Sequence, residues 1–101
     1  MVVEYIRYRV PQDRGEEFER AWSEAQQVLR EAPQCERYEV SRGVEEPENF
    51  VVRIEWTSVE EHEHDFRGSA AFGRCFAAVK PFFEQIEEMR HYEPTAVRSG
   101  G

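Results

Sequence analysis

The chain has 101 residues and a mass of 12.0 kDa, the size of one small domain, which excludes a two-domain enzyme and a repeat array. Thirteen Lys and Arg against 21 Asp and Glu give a formal net charge of -8 and a pI near 4.9, which argues against the electrostatic footprint of a nucleic-acid or anionic-membrane binder. Hydrophobic residues at 40% and aromatics at 13% supply enough apolar volume for a core, so the expected partners are small molecules or protein.

No apolar run reaches the roughly 18 residues of a membrane span, and the N-terminal MVVEYIRYRV has neither an apolar leader core nor a cleavage site. A cytoplasmic protein without membrane contact is expected. Cys35 and Cys75 lie far apart without C-x-x-C spacing, so both read as small buried hydrophobes rather than zinc ligands or a redox pair.

In chain order, residues 2–10 are rich in β-branched and aromatic side chains and read as a strand closed by Pro11-Gln12-Asp13. Asp13 with Glu16 resembles a capping box. Phe18, Ala21, Trp22, Ala25, Val28, Leu29 and Ala32 then recur at helical spacing until Pro33. Residues 35–42 and 50–57 alternate as two strands of a hairpin around the turn-rich 43–49 segment. Ser58-Val59-Glu60-Glu61 opens a short helix that Arg67-Gly68-Ser69 breaks. A further helix carries the stripe Phe72, Cys75, Phe76, Val79, Phe83 and Ile86, interrupted at Pro81. Residues 87–92 form a last strand. The domain is expected to span 1–94, with 95–101 as a flexible tail.

The order β-α-β-β-α-β predicts an α+β, ferredoxin-like fold, in which two helices cover one face of a four-stranded antiparallel sheet. Ile6, Tyr8, Val10, Tyr38, Val40, Phe50, Val52, Ile54 and Trp56 would face the helices. The other face carries Arg7, Arg9, Arg37, Glu39, Arg53 and Glu55. Those charges suit either a sheet face bare to water or one that pairs across a two-fold axis with a second sheet.

No Gly-rich phosphate loop and no G-x-S-x-G elbow occur, so nucleotide cofactors and covalent hydrolysis are not expected. His62-Glu63-His64-Asp65 lines up metal-capable side chains. On an α-helix, however, positions i and i+2 point apart, so His62 and His64 would not share an ion, and neither metal nor cofactor is expected. The remaining signal is ring volume: Tyr8, Trp22, Tyr38, Phe50, Trp56, Phe66, Phe72, Phe76 and Phe83 suit either core packing or a pocket for a flat apolar ligand.

The segments Ala32 to Val40 (APQCERYEV), Glu45 to Phe50 (EEPENF), Ile54 to Ser58 (IEWTS) and Phe66 to Phe72 (FRGSAAF) together resemble the antibiotic biosynthesis monooxygenase (ABM) family. The resemblance covers nearly the whole chain. It implies a homodimeric α+β barrel in which two sheets face one another, and a pocket between sheet and helices where some members oxidise phenols or quinols with O2 and no cofactor. A deprotonated, electron-rich phenol passes an electron to O2 directly, so stacking walls and one base suffice. Trp56 matches the family's Glu-x-Trp position, to line the pocket or offer its indole N-H. His62 or His64 falls where many members carry a histidine, and an unperturbed imidazole suits a general base near neutral pH.

The expected catalytic residues are therefore His62, Trp56 and His64, with Tyr8, Tyr38, Phe50, Phe66, Phe72, Phe76 and His91 binding a small aromatic substrate. Arg7 or Arg53 could steady a phenolate or simply pair with glutamate. The haem-degrading branch resembles this fold but uses an Asn on strand 1, a helical Trp and an axial His. Strand 1 has no Asn here, and Asp65 or Phe66 and Phe76 stand near the other two positions, which disfavours haem degradation. Two other readings share the fold: a non-catalytic dimeric ligand-binding module, and a cofactor-free isomerase.

Overall fold

The computed structural model describes residues 1–100, and the period-2 and period-3.6 patterns resolve in it into four strands and two principal helices. They are β1 (Val2–Arg9), α1 (Gly15–Glu31), β2 (Cys35–Arg42), β3 (Asn49–Trp56), α2 (Ala70–Val79) and β4 (Ile86–Tyr92). A π-helical segment, Glu61–Phe66, precedes α2, and 3-10 turns at Gln12–Arg14 and Lys80–Gln85 join the rest. The sheet is antiparallel in the order β2-β3-β1-β4. Both helices lie on one face, the ferredoxin-like arrangement that the element order implies.

Alternation in β3 buries Phe50, Val52, Ile54 and Trp56, while β1 turns Ile6, Tyr8 and Val10 the same way. Helix α1 meets them with Phe18, Trp22, Ala25 and Leu29, spaced four, three and four residues apart on one stripe. Phe18 sits at the centre, with ring centroids 4.7 Å from Tyr8, 4.4 Å from Phe50 and 5.2 Å from Phe82. Each such buried ring or Leu contributes about 1.5–3 kcal/mol.

Several details differ from the sequence reading. Asp13 does not cap α1: it lies inside the 3-10 turn, and α1 starts at Gly15 with no side-chain cap. Of the two outcomes Pro81 allows, a kink or a new turn, the chain takes the second, and α2 ends at Val79. The chain tightens into the 3-10 turn there, the shorter repeat rotates the stripe, and Phe82 becomes buried while Phe83 is 53% exposed. Val40, at the sheet edge, is half-exposed. Residues 93–100 form no helix or strand, and Gly101 of the expected tail lies outside the described residues.

On the helix-free face the charges pair within the chain. Arg7 Nε lies 3.5 Å from Glu88, Arg9 Nε lies 3.4 Å from Glu87, and Arg53 binds Glu55 and the Tyr5 hydroxyl. Arg7 and Arg53 therefore meet acidic partners on the far side of the sheet from the helices. No helix among the described residues is long and apolar enough to cross a membrane.

Candidate functional site

Strand register builds the site. Glu4 falls in the same alternation as Ile6 and Tyr8, so its carboxylate points to the helix side and is only 2% exposed. Across β4 its Cα partner is His91, and across β3 it is Ile54, with Trp56 on the neighbouring diagonal. Trp56 Nε1-H donates to Glu4 Oε1 at 3.0 Å. The donor that was expected to address a substrate is thus spent on Glu4.

His62 arrives from the π-helical segment. Ser58 Oγ accepts from Glu61 N at 3.0 Å, as the capping motif predicts, but the segment then widens so that Arg67 N bonds to His62 O. A β-carbon at Gly68 would stand 2.7 Å from the His64 carbonyl, so only glycine lets the chain leave this wide turn so closely. The turn points His62 and Phe66 inward. His62 stacks on Trp56, with centroids 4.1 Å apart and planes 10° apart. Its two nitrogens have different neighbours: Nδ1 shares a 2.7 Å hydrogen bond with His91 Nε2, and Nε2 lies 3.6 Å from Glu4 Oε1.

This polar row closes one end of a cavity of about 270 Å³. Tyr8, Trp22, Phe66, Phe72, Phe76 and Phe83 give it aromatic walls, and Met89 and Arg67 also line it. Trp22 Nε1 is buried beside the Tyr8 hydroxyl, its nearby acceptor, though the pair falls short of full hydrogen-bond geometry. Arg67 touches the Met89 sulfur at 3.7 Å.

Burial sets the proton affinities. It pushes the Glu4 carboxyl up, opposed by the Trp56 hydrogen bond and by the charges of His91 and Arg67. Burial, followed by Arg67 and His91, pushes His62 down to about 3. His62 is neutral at physiological pH and a weaker base than an exposed imidazole, contrary to the expectation drawn from its ordinary pKa. Tyr8 is pushed up by burial, and both thiols rise to about 11 for the same reason, which leaves Cys35 and Cys75 unreactive as nucleophiles.

Of the residues singled out from sequence, Tyr8, Trp56, His62, Phe66, Phe72 and Phe76 meet at this cavity, with His91 directly behind His62. His64 does not: its side chain is 84% exposed and rests on Asp65 at 3.1 Å. Tyr38 and Phe50 line a separate, open groove of about 360 Å³ between α1 and β2, where Tyr38 Oη donates to Gln26 Oε1 at 3.0 Å. Glu4 went unnoticed in the sequence, although a lone carboxylate in an otherwise apolar alternation signals it.

Glu4, His62 and His91 each offer a ligand atom within 4.8 Å of the others, a set suited in type to a divalent transition metal. Within that group His62 turns Nδ1 to His91 and Nε2 to Glu4.

The fold and the site together define a ferredoxin-like α+β domain with an aromatic cavity held between sheet and helices. The sequence model of the family described as antibiotic biosynthesis monooxygenase matches residues 1–78, and the chain belongs to that family. A Bordetella bronchiseptica protein bearing the same family name is 25% identical, with a TM-score of 0.77 over 93% of this chain and 96% of its own. A conserved Methanosarcina mazei protein aligns with a TM-score of 0.75 at 18% identity, over 93% and 92% of the two chains. The Bacillus subtilis protein YczJ, uncharacterised by name, is 24% identical over 93 residues, 92% of this chain and 98% of its own.

Proposed function

We propose that the chain is a cofactor-independent monooxygenase that oxidises a small aromatic phenol or quinol with O2 in the cavity bounded by Glu4, His62 and Trp56. The observation that carries this reading is a buried carboxylate-imidazole pair in a largely apolar, aromatic-walled cavity. An apolar pair of equal volume would cost the fold less, so the polar pair is there for chemistry rather than stability. The flat walls bind the ring, and the Glu4-His62 end takes the hydroxyl proton. Glu4 is the stronger base of the two, since burial raises its proton affinity and lowers that of His62.

The phenolate then supplies all the electrons. One atom of O2 joins a ring carbon, which becomes the second carbonyl of a quinone. The other atom leaves as water with the two hydrogens the phenol has lost. Membership of the family supports a monooxygenase in general terms, and the substrate class rests on the cavity.

The helix-free sheet face, with Tyr5, Tyr92 and the Arg-Glu rows, is proposed to meet a second copy of the chain in a two-fold dimer. Light scattering at micromolar concentration is expected to report the dimer mass.

The test is oxygen uptake by chelator-treated protein with anthrones, naphthoquinols and catechols, after subtraction of autoxidation. Uptake that survives the chelator and falls at least about 100-fold in Glu4→Gln or His62→Ala supports the reading. Saturable binding without uptake favours a ligand-binding module, and anaerobic turnover favours an isomerase.

A further inference from the structure

Behind the cavity the polar row continues outward. His62 Nδ1 shares its 2.7 Å hydrogen bond with His91 Nε2, and His91 Nδ1 lies 3.7 Å from Glu63 Oε1. Exposure rises along the row, from 3% for the side chains of Glu4 and His62 to 19% for His91 and 51% for Glu63. Each imidazole has one nitrogen toward the interior and one toward solvent. That is the arrangement a proton needs to enter a ring at one nitrogen while another leaves from the second.

We propose that Glu4, His62, His91 and Glu63 form a proton relay between the cavity and solvent. It rests on the cavity being the ligand site described above. In the outward direction the substrate O-H bond breaks and a Glu4 O-H bond forms. Glu4 passes the proton to His62 Nε2, His62 Nδ1 releases its own to His91 Nε2, and His91 Nδ1 releases one to Glu63 or water. Glu4 and each imidazole gain one proton and lose one, so their charges are unchanged and both imidazoles end as the opposite tautomer; the negative charge is left on the phenolate and the proton on Glu63 or water. When reduced oxygen takes up protons the row runs inward and the tautomers return. The 3.6 and 3.7 Å gaps are slightly beyond hydrogen-bond length and close by a small torsion, by a bridging water, or on ligand arrival.

Other groups facing the row do not offer a rival exit. Trp56 Nε1 donates to Glu4 and accepts nothing, the Arg67 guanidinium is a donor with no acceptor, and Tyr8 and Cys75 hold their protons because burial raises both. His91 is therefore a positioning and transfer residue that never touches the substrate. Its two properties, a nitrogen for His62 and a nitrogen for the surface, are both lost in His91→Phe, whereas His91→Gln keeps the hydrogen bond to His62 without the through-ring path.

The probe is 4-nitrophenol, mixed with the protein in weak buffer containing a pH dye, while phenolate absorbance and dye are followed by stopped flow. In the native chain phenolate formation and proton release are expected to rise together. His91→Phe and His91→Gln should bind the phenol with similar affinity yet slow both signals by about tenfold or more, with added imidazole restoring the His91→Phe rate. Unchanged release in both variants, or slow release that imidazole does not restore in a folded His91→Phe protein, overturns the relay. Failure of 4-nitrophenol to bind or release its proton in the native chain overturns it as well. Intact relay kinetics without oxygen uptake from any phenol would instead leave the relay standing and remove the monooxygenase reading.

Discussion

Glu4→Gln makes the native chain more stable at neutral pH while disabling the site. The buried carboxyl binds its proton more tightly in the folded chain than in the unfolded one. Between the ordinary carboxyl pKa of about 4.5 and its raised native value, the native state therefore holds more protons than the unfolded state. Stability from this group then falls as pH rises through that window, at about 1.4 kcal/mol for each unit of the shift. Gln keeps the Oε1 acceptor for Trp56 Nε1-H at 3.0 Å and carries no charge. The gain at neutral pH is expected to be on the order of 1–3 kcal/mol, the cost of an imperfectly compensated buried polar group. For a domain of this size that raises Tm by roughly 4–8 °C per kcal/mol. Urea unfolding of both proteins from about pH 4 to about pH 8 gives the difference directly. It should grow with pH from near zero at the acid end. A Glu4→Gln protein that is less stable than the native chain at neutral pH would show that the fold stabilises the carboxylate, and the reasoning about a poised base would fail.

His62 acts with the opposite sign. Its native pKa of about 3 lies below the ordinary 6.5, so stability is lost as pH falls from about 6.5 toward 3, by on the order of 4–5 kcal/mol. His62→Gln should flatten that part of the same titration, and an unchanged acid slope would contradict the assignment. Phe82→Ala should cost about 3–5 kcal/mol, because the ring packs at 5.2 Å on Phe18. Phe83→Ala should cost under about 0.5 kcal/mol, as measured by urea midpoint. His64→Ala is expected to leave oxygen uptake and stability within error, since the ring is solvent-exposed. A loss like that of His62→Ala would return His64 to the site.

Much of the fold was legible because the patterns in β1, α1 and β3 are long and unambiguous. Phe50, Val52, Ile54 and Trp56 alternate without exception, and Phe18, Trp22, Ala25 and Leu29 keep helical spacing throughout. The segment 58–86 was legible only in part. A π-turn and a 3-10 turn each shift the repeat by a fraction of a residue, and a fixed 3.6-residue period cannot tell Phe82 from Phe83 or fix which of His62 and His64 turns inward. The site was half legible: its rings stood out by number, whereas Glu4, a lone carboxylate in an apolar alternation, gained a partner only when register set it opposite His91. Tyr38 and Phe50 have the right face, but they lie toward β2, beyond the reach of the cavity. The depressed pKa of His62 follows from burial, which residue type alone does not report.

The chemistry depends on where an aromatic ligand sits. A crystal structure of the protein with 1-naphthol tests this most directly. The ring is expected between Phe66, Phe72 and Tyr8, with the hydroxyl within hydrogen-bond distance of Glu4 or His62. Naphthol seated in the open groove beside Tyr38 and Gln26, with the Glu4 end of the cavity closed to it, would contradict the account.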